Sequence, residues 1–202
     1  MKIGSAGRLL RWLIKRLNRP EPEIPADADY TRPASWEDVI SLTRLLNRHG
    51  VRYILVGGYA LAAHGYVRMT EDVDIAVDPN PQNSARWIAA LTKLPDGAAK
   101  ELLGEQDPFD GDYLHAIRIN DEFTIDLLPS VAGIGFDELQ HHIAILEVEG
   151  EPIPVLNLHG LLATKQGIRP KDQADAAVLR RALEQGGEDS GPTRDLPGKS
   201  RL

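Results

Sequence analysis

The chain has 202 residues, a net charge of −7 and 42% hydrophobic residues, which is typical of a globular protein long enough to bury a core. The absence of cysteine excludes disulfides and thiolate metal sites, so any metal ion must be held by oxygen or imidazole ligands. The acidic charge argues against a dedicated non-specific nucleic-acid-binding protein, which needs a dominant basic surface, but it allows a local basic patch.

The first predicted element is a basic amphipathic helix over residues 8–18. Apolar residues recur there at helical spacing, and Arg and Lys side chains fall on the other side. Such a helix could contact RNA, an anionic membrane surface or a partner, or it could pack on its own domain. Residues 20–34 carry prolines and acidic residues and are predicted to be a linker, so we treat residues 1–34 as one N-terminal region.

The apolar stretches of the chain are all too short to span a bilayer. Arg11, Lys15 and Arg16 interrupt the apolar residues near the N-terminus, so no signal-peptide core is expected there. We therefore predict a cytoplasmic protein without a transmembrane segment.

Residues 35–185 are predicted to form a mixed α+β domain, and residues 186–202 a disordered tail. The domain begins with a helix that Ser35 and Asp38 cap. The next strand has apolar residues on both faces, which favours a central place in the sheet. The predicted strands are 51–56, 72–77, 113–119, 122–128, 144–148 and 153–156, and the predicted helices after the first are 59–64, 81–91, 98–103, 136–142, 158–167 and 172–184.

Two aspartates lie on one face of the strand 72–77. Successive side chains of a strand point to opposite faces, so Asp72 and Asp74 share one face and the aliphatic residues share the other. Like charges at this spacing repel, and partial burial strengthens the repulsion. A divalent cation would remove the conflict, and carboxylate ligands favour Mg²⁺ or Mn²⁺.

Gly57 and Gly58 lie between a predicted strand and a predicted helix. A helix N-terminus presents unpaired N–H groups, and glycine lets a phosphate approach the backbone without a Cβ in the way. The pair alone is weak evidence, because many strand-to-helix turns contain one. It gains weight from Asp72-Val73-Asp74, which follows after a spacer of 13 residues, 59–71.

A third carboxylate, Asp126, interrupts the apolar strand 122–128. If this strand lies beside 72–77, three carboxylates converge, and such a set can hold two metal ions that clamp the attacking and leaving oxygens of a phosphoryl-type displacement. Taken alone, Asp126 could equally be a solvated acid on an edge strand.

In combination, these features resemble the signature of the DNA polymerase β-type nucleotidyltransferase superfamily. Within it the chain most resembles the bacterial minimal and AbiEii-like nucleotidyltransferases of toxin–antitoxin and phage-resistance systems. Residues 67–71 resemble the R-x-T-x-D-[VL]-D form of those proteins, and Lys165 with residues 169–175 resembles their K…R-x-K-D-x-x-D segment. The resemblance covers roughly residues 36–184 and implies the nucleotidyltransferase fold, with a mixed or antiparallel sheet of about five strands flanked by helices.

The resemblance also implies roles for individual residues. Asp72 and Asp74 would bind both metal ions, and Asp126 would bind the catalytic metal and help to deprotonate the acceptor hydroxyl. Gly57 and Gly58 would cradle the triphosphate of an NTP. The family often has Gly-Ser here, so Gly58 removes a hydroxyl contact and leaves only backbone donors.

Three further polar residues are predicted to bind the nucleotide. Arg68 could balance the charge of the acid pair or hold a phosphate, and Thr70 could orient the start of the strand through its hydroxyl. Lys165 lies on a helix whose apolar neighbours face the core, so its ammonium group could reach a phosphate as a point charge. Each of the three could instead be a solvated surface residue.

The resulting hypothesis is an Mg²⁺-dependent nucleotidyltransferase that moves a nucleoside monophosphate from an NTP to an acceptor hydroxyl. The AbiEii-like resemblance favours RNA or a protein as acceptor, a toxin-like role and a cognate antitoxin as partner. One alternative is a small-molecule acceptor of the antibiotic type. Another is a non-catalytic member of the fold that binds a nucleotide or a partner protein.

Overall fold

A computed structural model describes residues 31–110 and 115–185 of the chain. The helix predicted over 8–18, most of the linker predicted over 20–34, and the tail predicted over 186–202 lie outside the described residues. The last four linker residues are described, and they are hydrogen-bonded to the domain: the amides of Arg32 and Ala34 donate to the carbonyls of Glu122 and Glu71, both at 3.0 Å.

The described residues form six helices, two 3₁₀ turns and eight strands. The helices are α1 (Trp36–Arg48), α2 (Gly57–Ala63), α3 (Pro81–Leu91), α4 (Phe136–Leu139), α5 (Leu158–Ala163) and α6 (Pro170–Glu184), with 3₁₀ turns at Ala98–Leu102 and Gln140–His142. The strands are β1 (Tyr53–Leu55), β2 (Asp72–Val77), β3 (Ile117–Asn120), β4 (Thr124–Leu128), β5 (Ser130–Val131), β6 (Ile134–Gly135), β7 (Ile143–Val148) and β8 (Glu151–Leu156).

Six strands form one mixed sheet in the order β3-β4-β2-β1-β8-β7, and β5 and β6 form a separate two-stranded ladder. The pairs β1–β2, β3–β4 and β7–β8 are antiparallel, whereas β2–β4 and β1–β8 are parallel. The mixed α+β architecture is confirmed, as is the central place of the first strand. The sheet has six strands rather than about five.

The first helix begins at the predicted capping box. The Asp38 amide donates to the Ser35 hydroxyl at 3.3 Å, and the Asp38 carboxylate accepts from the Ser35 amide at 2.8 Å. Each contact satisfies an N–H group that the first helical turn cannot. Arg32 adds a bidentate ion pair to the same carboxylate, and these contacts lower the pKa of Asp38 to about 2.

Several predicted boundaries were wrong by a few residues. The first strand covers Tyr53–Leu55 rather than 51–56, and α2 begins at the glycines rather than after them. The predicted strand 122–128 starts only at Thr124, because the preceding residues turn around the buried carboxylate of Asp121. That carboxylate accepts hydrogen bonds from the amides of Asp96, Ala98 and Glu122 at 3.0–3.1 Å.

The core lies along the apolar faces of the central strands. Val73, Ile75 and Val77 of β2 are fully buried, as are Ile125 and Leu127 of β4. The aspartates of these strands occupy the opposite face, as the alternation of side chains predicts. No helix among the described residues is long and apolar enough to cross a membrane.

Candidate active site

Parallel pairing of β2 and β4 brings the three predicted carboxylates together. The register places Asp74 beside Asp126 and Asp72 beside Thr124, so all three aspartates project from the same face. One carboxylate oxygen from each aspartate lies within 4.8 Å of the others, and each residue is half-buried. This set of hard oxygen ligands could hold a divalent cation.

The crowding has an electrostatic consequence at Asp74. Burial, followed by the negative charges of Asp72 and Asp126, raises the pKa of Asp74 to about 6. The cations Lys165 and Arg68 oppose this shift only in part. Both burial and the neighbouring negative charges disfavour the ionised form of Asp74, and a bound cation would stabilise that form.

Gly57 meets Asp74 so closely that a side chain cannot fit. Its φ of +64° lies in the left-handed region, and a Cβ built there would lie 2.7 Å from Cγ of Asp74. The Val56 amide donates to the Asp74 carbonyl at 3.0 Å, which extends the β1–β2 pairing and fixes this approach. Glycine is therefore required here both by conformation and by space.

Gly58 is enclosed by Thr70. A Cβ at position 58 would lie 2.6 Å from Cβ of Thr70, so a serine at this position would clash with Thr70. The Thr70 hydroxyl is 3.3 Å from both the backbone carbonyl and the carboxylate Oδ1 of Asp72. Thr70 thus contacts one member of the acid cluster and leaves no room for a side chain at Gly58.

A cavity of about 460 Å³ opens beside the acid cluster. Its walls include Asp74, Gly57, Arg68 and Lys165, so four of the eight predicted site residues line one space. The α5–α6 connection and the first turn of α6 supply further charged residues of both signs, whereas β5 and the turn after it supply small apolar residues. The other four predicted site residues are not among the lining residues: Gly58, Thr70, Asp72 and Asp126.

Two cations of this cavity, Lys165 and Arg68, are paired with aspartates of α6. Nζ of Lys165 lies 3.2 Å from Oδ2 of Asp175 and 3.4 Å from Oδ1 of Asp172. Nε of Arg68 lies 3.3 Å from the same oxygen of Asp175. The Lys165 and Asp175 side chains are each only 10% exposed, so the lysine is a buried and positioned charge rather than a solvated one.

Arg118 of β3 lies against the acid cluster from the edge of the sheet. Its Nε donates to Oδ1 of Asp126 at 2.8 Å and its Nη2 to Oδ2 at 2.7 Å, a bidentate ion pair. Nη2 also lies 3.5 Å from Oδ2 of Asp72. These carboxylates raise the pKa of Arg118 above its already high usual value, so the guanidinium is always charged.

Sequence reasoning missed the part played by Arg118 and the full part played by Asp175. The signal for Arg118 was the hairpin itself, since antiparallel pairing of β3 with β4 sets Arg118 opposite Asp126. The sequence indicates Asp175 only as the last acid of the K…R-x-K-D-x-x-D segment. Its contact with Lys165 depends on how α5 and α6 pack, which no local pattern shows.

A second cavity, of about 490 Å³, lies away from these residues. Its walls carry Asp78, Asp107, Asp110 and Asp137 and none of the eight predicted site residues. Asp78 is paired with Arg52. The convergence of predicted residues therefore singles out the first cavity, although the second has a similar volume.

No family model matches this chain, and no curated protein matches its sequence. Among solved structures, TM1012 of Thermotoga maritima, a protein assigned only provisionally as a nucleotidyltransferase, aligns with a TM-score of 0.50 at 16% identity over 77% of this chain and 96% of that chain. The fold is a nucleotidyltransferase fold.

Two further solved structures with that fold align at TM-scores of 0.48. ANT(2'')-Ia, solved in complex with adenylyl-2''-tobramycin, is 13% identical over 75% of this chain and 90% of its own. The lincosamide antibiotic adenylyltransferase LnuA, solved with lincomycin, is 15% identical over 74% of this chain and 98% of its own. The narrower likeness to AbiEii-like nucleotidyltransferases stays a prediction.

The raised pKa of Asp74 predicts how the metal-free protein responds to pH. The folded carboxyl has a pKa of about 6 against an ordinary value of 3.8, so between these values the folded state binds more protons than the unfolded state. The free energy of unfolding should therefore fall as pH rises from about 4 to 6, by at most about 1.4 kcal/mol per pH unit for this one group.

Urea unfolding in EDTA across this pH range measures the effect. Asp74→Asn should remove the contribution of this group and flatten the fall. An unchanged pH dependence in Asp74→Asn would show that Asp74 is not the group responsible.

Proposed function

We propose that this chain is a Mg²⁺-dependent nucleotidyltransferase that moves a nucleoside monophosphate from an NTP to an acceptor hydroxyl and releases pyrophosphate. The observation that carries the proposal is the convergence of Asp72, Asp74 and Asp126 beside a cavity whose walls hold Gly57 and Lys165. The fold supports it, because a provisionally assigned nucleotidyltransferase aligns with 77% of this chain at a TM-score of 0.50.

The acid cluster fits a hard divalent cation. Three carboxylate oxygens within 4.8 Å of one another, in a protein without cysteine, match the ligands that Mg²⁺ or Mn²⁺ prefers. A bound cation would neutralise the charge of the phosphates during transfer. The raised pKa of Asp74 agrees with this role, since a cation would stabilise the ionised form.

The remaining residues act on the triphosphate. Gly57 lines the cavity, and the first turn of α2 has no capping side chain, because Val56 precedes it. Lys165 supplies a point charge from a buried position, and Arg68 supplies a second at the same cavity. Positioning and charge neutralisation of this kind provide most of the catalysis in such reactions.

Asp126 is assigned to the acceptor side. It lies beside Asp74 on β4, the strand further from Gly57. An acceptor hydroxyl near Asp126 would therefore lie on the opposite side of Asp74 from a triphosphate at Gly57. Its carboxylate would accept the proton of that hydroxyl.

The acceptor that we propose is RNA or a protein, in a toxin-like enzyme with a cognate antitoxin. This part rests on the sequence resemblance to AbiEii-like proteins. Exposed Arg169 and Lys171 on the cavity wall also suit a polyanionic acceptor. A small-molecule acceptor and a non-catalytic binding role are the alternatives that the following experiment separates.

Incubation of the purified protein with Mg²⁺ and each α-labelled NTP should transfer label to one acceptor class. Total RNA, cell protein, the protein itself and hydroxyl-bearing antibiotics are tested separately. Asp74→Asn and Asp126→Asn should each reduce transfer at least about 100-fold, because charge stabilisation and the general base are lost.

Asp110→Asn is the matched control, since it removes an exposed carboxylate outside the acid cluster and should leave transfer unchanged. Label on antibiotics alone would favour the small-molecule alternative. No transfer to any acceptor, with no nucleotide binding that depends on Asp74, would sink the enzyme proposal. Undiminished transfer by Asp126→Asn would overturn only the assignment of Asp126 as the group that accepts the proton of the acceptor hydroxyl.

The role of Lys165 is tested with Mg²⁺ and inorganic tripolyphosphate, which carries the phosphates without a base. Lys165→Gln should weaken binding roughly tenfold or more in calorimetry, because one charge-assisted contact to phosphate is lost. Lys93→Gln, at an exposed lysine outside the cavity, should bind as the wild type does. A folded Lys165→Gln variant with wild-type affinity would exclude Lys165 from the phosphate site.

A further inference from the structure

Both carboxylate oxygens of Asp126 are occupied by one side chain. Arg118 bonds Oδ1 through Nε at 2.8 Å and Oδ2 through Nη2 at 2.7 Å, and the same Nη2 reaches Asp72 at 3.5 Å. A metal ion held by the three aspartates needs an oxygen from each of them. The Arg118 guanidinium therefore binds oxygens for which a metal ion would compete.

The competition cannot be relieved by deprotonation, because a guanidinium remains charged at any pH a protein tolerates. It can be relieved by movement. The Arg118 side chain is 57% exposed, and β3 is the edge strand of the sheet, so the side chain can turn into solvent without disturbing the core. Its partner Asp126 is only 14% exposed and stays in place.

We infer that Arg118 is a resident counter-ion of the acid cluster, which holds the metal-free carboxylates in place and has to leave Asp126 when a divalent cation binds. The inference rests on the metal centre of the proposed function. It gives Arg118 two effects of opposite sign: the side chain stabilises the metal-free protein and weakens its affinity for metal. A residue that merely supported the fold or oriented the ligands would increase both the stability of the metal-free protein and its affinity for metal.

The test is Mn²⁺ titration without nucleotide at pH 8, followed by the EPR signal of the free ion. Arg118→Lys keeps the positive charge but loses the bidentate contact, so it separates direct competition from general repulsion of cations. It should bind Mn²⁺ roughly three- to fivefold more tightly than the wild type, and Arg118→Gln at least as tightly. In EDTA, both variants should unfold at a lower temperature than the wild type.

Arg86→Lys makes the same chemical change at an exposed arginine of α3 and should alter neither measurement. Wild-type or weaker Mn²⁺ affinity in Arg118→Lys, while Asp74→Asn abolishes binding, would overturn this inference and leave the metal centre standing. Equal background binding by wild type and Asp74→Asn would overturn the metal centre and the inference with it.

A measurement on the wild type tests the same inference without depending on whether the variants fold. In ¹⁵N NMR spectra, the Nε–H signal of Arg118 should be protected from exchange in EDTA and should lose that protection as Mg²⁺ is added. Protection that persists at saturating Mg²⁺ would show that Arg118 stays on Asp126 and would contradict the exchange.

Discussion

Repulsion among three carboxylates on adjacent parallel strands governs how charge is arranged throughout this site. The β2–β4 register sets Asp74 directly beside Asp126, with Asp72 on the same face. The core on the opposite face, where Val73, Ile75 and Ile125 are fully buried, keeps the strands in that register. A slip by one residue would move the aspartates into the core. The apolar face therefore stabilises an arrangement that the acidic face opposes.

Positive charges surround this cluster on two sides and act in different ways. Arg118 bonds directly to Asp126 and Asp72 from the edge of the sheet. Lys165 and Arg68 lie across the cavity and are themselves neutralised by Asp175. Asp74 has no ion pair among the described residues, and its pKa rises to about 6. The least compensated charge of the cluster thus belongs to the carboxylate that also lines the cavity beside Gly57.

Much of this arrangement could be predicted from local patterns. The alternation of Asp72, Val73 and Asp74 indicated one acidic face, and the capping box indicated the start of α1. The sequence could not show that β2 pairs with β4, because residues 78–123 separate the two strands. The convergence of the three carboxylates was therefore predicted only on the condition that these strands pair. The clash that a side chain at position 58 would make with Thr70 depends on a loop returning to the helix. Contacts of this kind depend on packing, which periodicity does not encode.

The proposed metal site consists of Asp72, Asp74 and Asp126. The triphosphate would lie against Gly57 and Lys165. Crystals grown with Mn²⁺ and a non-hydrolysable NTP analogue, measured at the manganese edge, test it directly. We expect anomalous peaks about 2.2 Å from oxygens of all three aspartates, with phosphate oxygens completing the coordination of the manganese ion. Manganese and analogue bound elsewhere, with the aspartates still paired only to Arg118, would contradict it.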